Sequence, residues 1–328
     1  MAISLNVSKL TWPMVEPFTI SRGTMMHIDG VLVTLKSNGF TGRGEAYGIL
    51  YEGETPQSII AQIEAVRGKI EAGIDRSGLQ DLLGIGGARC AVDCALWDLE
   101  AKQAGSSVAV LGGLDAALKP LETAFTIGLR SLPDVRRTAH ERRDFGLLKV
   151  KVNADQHVAV LEEVKAAAPD ARLIVDPNQS WDIALLDRLM PDLQRLGVVL
   201  LEQPLPVDAD DALLGYSSPI PICADELIHD RSDLPRARGK YQLINIKLDK
   251  AGGLTEGLAL AHAALGEGYR LMVGCMAGSS LSMAPAMIVG QYCDFVDLDG
   301  PLLQMSDWPD AICYNAGVMS APDPALWG

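Results

Sequence analysis

Between residues 147 and 247 the chain carries five short apolar runs, LLKVKV (147–152), RLIVD (172–176), VVLLE (198–202), PICAD (221–225) and LINIK (243–247), each with a charged residue at or beside its end. Three more of the same kind flank them: TAFTI (123–127), RLMVG (270–274) and FVDLD (295–299). From Lys151 through Asp176, Glu202, Asp225, Lys247 and Gly274 to Asp297 the run ends recur every 22 to 27 residues. That is the length of a strand, a turn, a helix and a return turn. Several intervening stretches carry a helical apolar stripe, such as Leu161 and Val164, or Leu186, Met190 and Leu193. Eight such runs predict an α/β fold built on a (β/α)8-type barrel, whose chemistry gathers where the strands end.

Outside this region the pattern changes. Residues 30–47, GVLVTLKSNGFTGRGEAY, alternate in polarity and predict an antiparallel meander turned at Ser37 to Gly39. Helical sequence follows from about Pro56 to Gly113. The expected organisation is an N-terminal α+β capping domain (1–113), the barrel (114–300), and a segment 301–328 that packs back on the cap. Pro301, Pro309, Pro322 and Pro324 make that last segment too irregular for another strand-helix unit.

The 328 residues hold 28 Lys+Arg against 42 Asp+Glu, a net charge of −14, which argues against nucleic acid or an anionic membrane as partner. Mean hydropathy is +0.15, yet no run approaches the roughly 20 apolar residues of a membrane span. The opening MAISLNVSKLTW lacks an export pattern, so a cytoplasmic location is expected. The six cysteines form no CxxC pair and read as reduced thiols. His27, His140, His157, His229 and His262 show no metal spacing, and the glycine clusters at 84–87 and 112–113 open no dinucleotide-binding unit. No Ser/His/Asp set is evident.

Asp176, Glu202 and Asp225 end three consecutive runs, so adjacent parallel strands bring their carboxylates to one point. Three such charges repel unless a cation sits among them, and hard oxygen ligands favour Mg2+. Lys149 and Lys151, two apart, share a strand face. Lys247 ends a strand four places further round a ring of eight, so Lys151 and Lys247 are expected opposite one another with the acids on the arc between. Lys250 reads as a surface lysine. Opposed amines across a metal-held carboxylate suit removal of the weakly acidic proton beside it, since the cation and the ammonium groups stabilise the enediolate charge. A lysine whose pKa is lowered by those cationic neighbours serves as base, and return of the proton from the other face inverts the stereocentre. Asp297 and Asp299, facing inward on the last strand away from the metal, call for a cationic group such as the ammonium of an amino acid or short peptide. Asn178 and Asp249 are expected to orient ligands or the strand-six lysine. Glu45 and Glu54 are expected in a second mobile loop of the cap, with Tyr47 and Tyr51 shaping the pocket.

In these residues the chain resembles the enolase superfamily, in its muconate-lactonizing branch. The likeness rests on the settings LLKVKV, IVDPNQSW, LLEQPLP, CADE and NIKLDKAGGL, and on the helical ARCAVDCALWDLEAK, and it spans essentially the whole chain. It implies one Mg2+ held by Asp176, Glu202 and Asp225, acid/base roles for Lys151 and Lys247, and an auxiliary role for Lys149. The DxD at Asp297 and Asp299 resembles that of the dipeptide epimerases, where it binds the substrate's terminal ammonium. This implies a small dipeptide as partner, with L-Ala-D/L-Glu expected; Arg22, in FTISRGTM, would meet the acidic side chain, and Thr126 would offer its hydroxyl to the substrate. A homo-oligomer is compatible with all of this. The alternatives are a cycloisomerase or o-succinylbenzoate synthase on the same scaffold, neither of which needs an ammonium partner, and a non-catalytic binding protein. Two departures stand out: Pro177 after Asp176, and GCMAGSSLS after strand seven.

Overall fold

The computed structural model describes residues 3–21, 23–115 and 117–328. Arg22, expected to meet the substrate's acidic side chain, lies outside them. In the cap, β1 (Ser4–Ile20), β2 (Gly23–Ser37) and β3 (Phe40–Ala46) form an antiparallel meander. The turn between β2 and β3 has Asn38 and Gly39 at positive φ, 52° and 81°, the left-handed conformation these residue types tolerate best. Helices α1 (Pro56–Ala65), α2 (Arg67–Glu71), α3 (Arg76–Leu82), α4 (Gly87–Ala104) and α5 (Val108–Leu111) follow. Helix α4 is buried along most of its length, its charged Arg89, Asp93 and Asp98 included, so it is covered on several sides. It reaches β3 closely because Gly42 and Gly44 lack side chains: a Cβ on Gly44 would stand 2.1 Å from the Ala91 carbonyl oxygen. Its other contacts reach the barrel, where Asp93 accepts from the Thr255 backbone N–H at 2.9 Å.

The barrel begins after a short strand, β4 (Leu121–Glu122). It then runs β5 (Phe125–Ile127), α6 (Leu132–Glu141), β6 (Leu147–Lys151), α7 (Val158–Ala167), β7 (Arg172–Asp176), α8 (Ile183–Arg195), β8 (Val198–Glu202) and β9 (Ile222–Ala224). Next come α9 (Leu234–Ala237), β10 (Leu243–Lys247), α10 (Leu248–Ala251), α11 (Leu254–Gly266), β11 (Arg270–Gly274), α12 (Ser280–Gly290) and β12 (Phe295–Asp297). The eight strands β5 to β12 pair in chain order, all in parallel. The Ala124 N–H donates to the Val296 carbonyl at 2.8 Å, joining the first strand to the last. Two of the expected helices are much reduced. Between β8 and β9 stands only a 3-10 turn, Asp210–Leu213, and after β9 only a 3-10 turn and the four-residue α9. Pro204, Pro206, Pro219 and Pro221 crowd the first of these connections and deny a helix its backbone donors.

The barrel interior is layered. Ala124, Leu147, Ile174, Leu200, Cys223, Leu243, Met272 and Phe295, one from each run, form an apolar floor. Because strand side chains alternate, the residues two places further along face the same interior. Those residues are Thr126, Lys149, Asp176, Glu202, Asp225, Asn245, Gly274 and Asp297. The site is therefore the second layer of the barrel, seated on a dry first one. The tail, with β13 (Tyr314–Asn315) and β14 (Val318–Met319), returns to pair with β4 and then to the cap. There Trp327 is buried, its indole donating to the Cys94 carbonyl, and Arg43 donates to the Leu326 carbonyl at 2.6 Å.

Candidate active site

Lys149, Lys151, Asp225, Lys247, Asp297 and Asp299 open onto one cavity of about 710 Å3 between the barrel mouth and the cap. Asp176, Glu202 and Asp225 end β7, β8 and the run through β9, and their side chains are withdrawn from solvent. Lys151 ends β6 and Lys247 ends β10, four strands apart in the ring with the three acids between.

The ion pairs show how strongly these groups interact. Lys149 Nζ stands 2.7 Å from Glu202 Oε2, 3.2 Å from Asp176 Oδ2 and 2.8 Å from Asp297 Oδ2. Lys151 Nζ donates to Asp176 Oδ2 at 2.5 Å, and Lys247 Nζ to Asp225 Oδ2 at 2.7 Å. Burial pushes the Asp176 carboxyl up, but the ammonium groups of Lys151 and Lys149 outweigh it and bring the group down to about 2. For Glu202, burial and then the neighbouring Asp176 charge push the carboxyl up to about 7. Burial lowers the pKa of Lys247, but Asp225 beside it more than compensates and holds the ammonium above lysine's ordinary range.

Several expected residues take places the sequence did not foresee. Lys149 is not simply beside Lys151: it bridges the acids to Asp297, so the DxD is no remote wall but lies one ammonium away from Glu202. Asp299 is pushed up to about 7 by burial and by Asp297, and its Oδ2 accepts from the Thr126 backbone N–H at 2.5 Å. The Thr126 hydroxyl donates to Asp297 Oδ1 at 3.2 Å, so it supports the acidic pair. Asn178 donates its backbone N–H to Asp176 Oδ1 at 2.8 Å, holding that carboxylate by the main chain. The contacts of Asp249 go elsewhere than to Lys247: its Oδ1 accepts from the backbone of Tyr47 and Gly48 in the cap, at 2.6 and 2.7 Å. Glu45 lies in β3, and Glu54 in the connection before α1. Glu45 is buried among four side-chain donors, and Glu54 accepts from the backbone of Ile49 and of Gly87 at the start of α4. Tyr47 and Tyr51 do line the cavity.

Three residues escaped the sequence reading. Lys250 is fully buried, not on the surface, with Nζ 2.7 Å from Asp225 Oδ1, so Asp225 carries two lysines. Asn245 donates to Glu202 Oε1 at 2.9 Å; its position two before Lys247 and two after Leu243 was the available signal. Gly274 makes room for both, since a Cβ there would stand 2.9 Å from Asn245 Oδ1 and 3.0 Å from Lys247 Cε.

Among the described residues no three His, Cys, Asp or Glu side chains stand as a ready ligand set; lysine ammonium groups lie against all three acids. The donor chemistry nevertheless suits a hard divalent cation. The acids are buried oxygen donors around a point that already draws a positive charge. Glu202 Oε2, though in ionic contact with Lys149, makes no hydrogen bond and keeps acceptor capacity. Among the described residues no helix is long and apolar enough to cross a membrane.

Comparison with known proteins matches residues 2–113 to the mandelate racemase / muconate lactonizing enzyme N-terminal domain, and residues 134–313 to the enolase C-terminal domain-like family. The chain is 39% identical over 316 residues to an L-Ala-D/L-Glu epimerase of Escherichia coli (strain K12), spanning 96% of this chain and 98% of that one. It is also similar, at 41% identity and a TM-score of 0.97 over 99% of this chain and 100% of the other, to an enolase family member from Agrobacterium tumefaciens. That structure has homology to dipeptide epimerases and holds sodium and L-Ala-L-Glu with an ordered loop. A dipeptide epimerase from Methylococcus capsulatus, complexed with Mg and L-Arg-D-Lys, aligns with a TM-score of 0.91 at 29% identity, over 100% of this chain and 99% of its own.

Proposed function

Because this chain belongs to the mandelate racemase and muconate lactonizing enzyme family of the enolase superfamily, we propose that it is a dipeptide epimerase that inverts the α-carbon of the C-terminal residue, with L-Ala-D/L-Glu as substrate. One observation carries the reading: two lysines end strands four apart in a ring of eight, the three intervening strands end in acids, and the DxD faces the same cavity. Asp176, Glu202 and Asp225 would hold Mg2+. When bound, the ion supplies positive charge that stabilises the enediolate and relieves the carboxylates' hold on the lysines.

The chain's own groups do the rest. Asp297 and Asp299 receive the ammonium of the N-terminal residue, which sets the dipeptide lengthwise in the cavity. Lys151 and Lys247 then face the α-carbon from opposite sides. One takes the proton and the other, as an ammonium, returns one from the opposite face. Lys149 adds positive charge beside the substrate carboxylate as the enediolate develops. The cap closes the cavity against water, which strengthens each of these interactions. Arg22 is assigned to the glutamate side chain on the sequence resemblance alone. A cycloisomerase or o-succinylbenzoate synthase substrate would bring no ammonium to Asp299, which forms no ion pair among the described residues while Lys149 already pairs with Asp297, and this weighs against both.

Incubating the protein with Mg2+ and L-Ala-L-Glu in D2O, while following the α-proton by NMR, tests the reading. An epimerase loses that signal and accumulates L-Ala-D-Glu. A binding protein leaves the signal intact, and that result would end the proposal.

A further inference from the structure

Tyr47 stands where the cap meets two walls of the cavity, and three separate contacts hold it. Its backbone N–H donates at 2.6 Å to Asp249, two residues beyond Lys247. Its ring has glycines on two sides: a Cβ on Gly30 would stand 2.7 Å from Tyr47 Cε1, and one on Gly278 would stand 2.2 Å from Cε2. Its hydroxyl donates to Glu45 and accepts from the Ser279 backbone N–H at 3.1 Å. Glu45 is itself surrounded by donors, with the Trp12 and Trp308 indoles at 3.0 and 3.2 Å and the Ser279 hydroxyl also bonded to it. A carboxylate so placed has no freedom to turn away.

The loop touched by Tyr47 needs such support. Ala277 has φ of 64° and Gly278 has φ of 117°, and a non-glycine residue at positive φ persists only when its surroundings impose it. Cys275, Met276 and Ala277 from this loop line the cavity with Asp297 and Asp299. We propose that Tyr47, anchored by Glu45, is a positioning residue for the reaction: it holds the 275–279 wall and the strand end bearing Lys247 in register with the cap. Its role in turnover rests on the dipeptide-epimerase reading above; its role in ordering the loop does not.

Tyr47→Phe keeps the ring that fills the space between the two glycines and removes only the hydroxyl. Hydrogen bonds to charged groups are worth about ten- to a hundredfold. We therefore expect KM for L-Ala-L-Glu to rise about tenfold or more, kcat to stay within about threefold, and amide hydrogen exchange to quicken over residues 275–282. Glu45→Gln, which cannot accept from all four donors, should do the same and also shift the emission of Trp12 and Trp308; if it does not fold, Tyr47→Phe decides alone. Unchanged exchange over 275–282 in Tyr47→Phe would overturn the proposal, as would an unchanged KM. A wild-type protein that epimerises no dipeptide would instead sink the functional reading, and the exchange measurement would still judge the loop.

Discussion

Lys247→Ala separates the acid/base role of that lysine from its structural one. Its ammonium lies 2.7 Å from Asp225 Oδ2 and 4.0 Å from Glu202 Oε1. Removing one partner of a buried pair costs about 3–5 kcal/mol when the remaining charge is left alone. Asp225 is not left alone, because Lys250 Nζ stays 2.7 Å from its other oxygen. The stability loss should thus fall well short of that range and the variant should fold. The catalytic loss is of another size: a positioned acid or base contributes about 10²- to 10⁴-fold, or ~2.7–5.4 kcal/mol of barrier at 1.36 kcal/mol per tenfold. The assay is proton NMR in D2O, run separately on L-Ala-L-Glu and L-Ala-D-Glu with Mg2+. The variant should invert neither isomer at more than about 1% of the wild-type rate. It should still exchange the α-proton of the isomer whose proton faces Lys151, and Lys151→Ala should exchange the opposite one. Inversion at rates within tenfold of wild type, in a variant with a native circular dichroism spectrum, would refute the two-base arrangement.

Other outcomes follow from the same geometry. Asp299→Asn should lower kcat/KM for dipeptides about ten- to a hundredfold by weakening the ammonium contact, as measured by polarimetry; a variant of undiminished efficiency would remove the DxD from substrate binding. EDTA should silence the protein, with Mg2+ restoring both the activity and a higher melting temperature, because the cation relieves repulsion among Asp176, Glu202 and Asp225; a melting temperature indifferent to Mg2+ would count against the site. For stability against pH, Asp93 is informative, since burial pushes its carboxyl from 3.8 up to about 6. Above about pH 4 the unfolded chain has lost this proton while the folded chain keeps it up to about pH 6, so folding loses stability as pH rises through that window, by about 3 kcal/mol. Asp93→Asn has no such titration, and the stability difference, wild type minus variant, should fall between pH 4 and 6 in denaturant melts; a constant difference would show that the burial is not felt.

How much of this was readable beforehand depends on the range of the interaction. Strand alternation is local, so a polar residue two places beyond an apolar interior one was visible in seven of the eight runs, all but the one that ends at Gly274, and the same alternation carried on to the run ends gave the order Lys151, Asp176, Glu202, Asp225, Lys247 around the ring. The sequence by itself determined which side chains face the barrel interior and in what order. Only the tertiary structure decided which of them touch. Lys149 reaches across to Asp297, 148 residues away, because a ring of eight strands is narrow enough for one long side chain to meet several walls. Lys250 is buried because the chain turns back over Asp225 just after strand six, a turn that its composition shares with many exposed ones. Tyr47 finds Ser279 across 232 residues, and no periodicity in either segment records that meeting. Alternation belongs to the backbone of each strand, whereas contact across the barrel depends on its diameter, its stagger and the seating of the cap, which exist only once the chain has closed on itself.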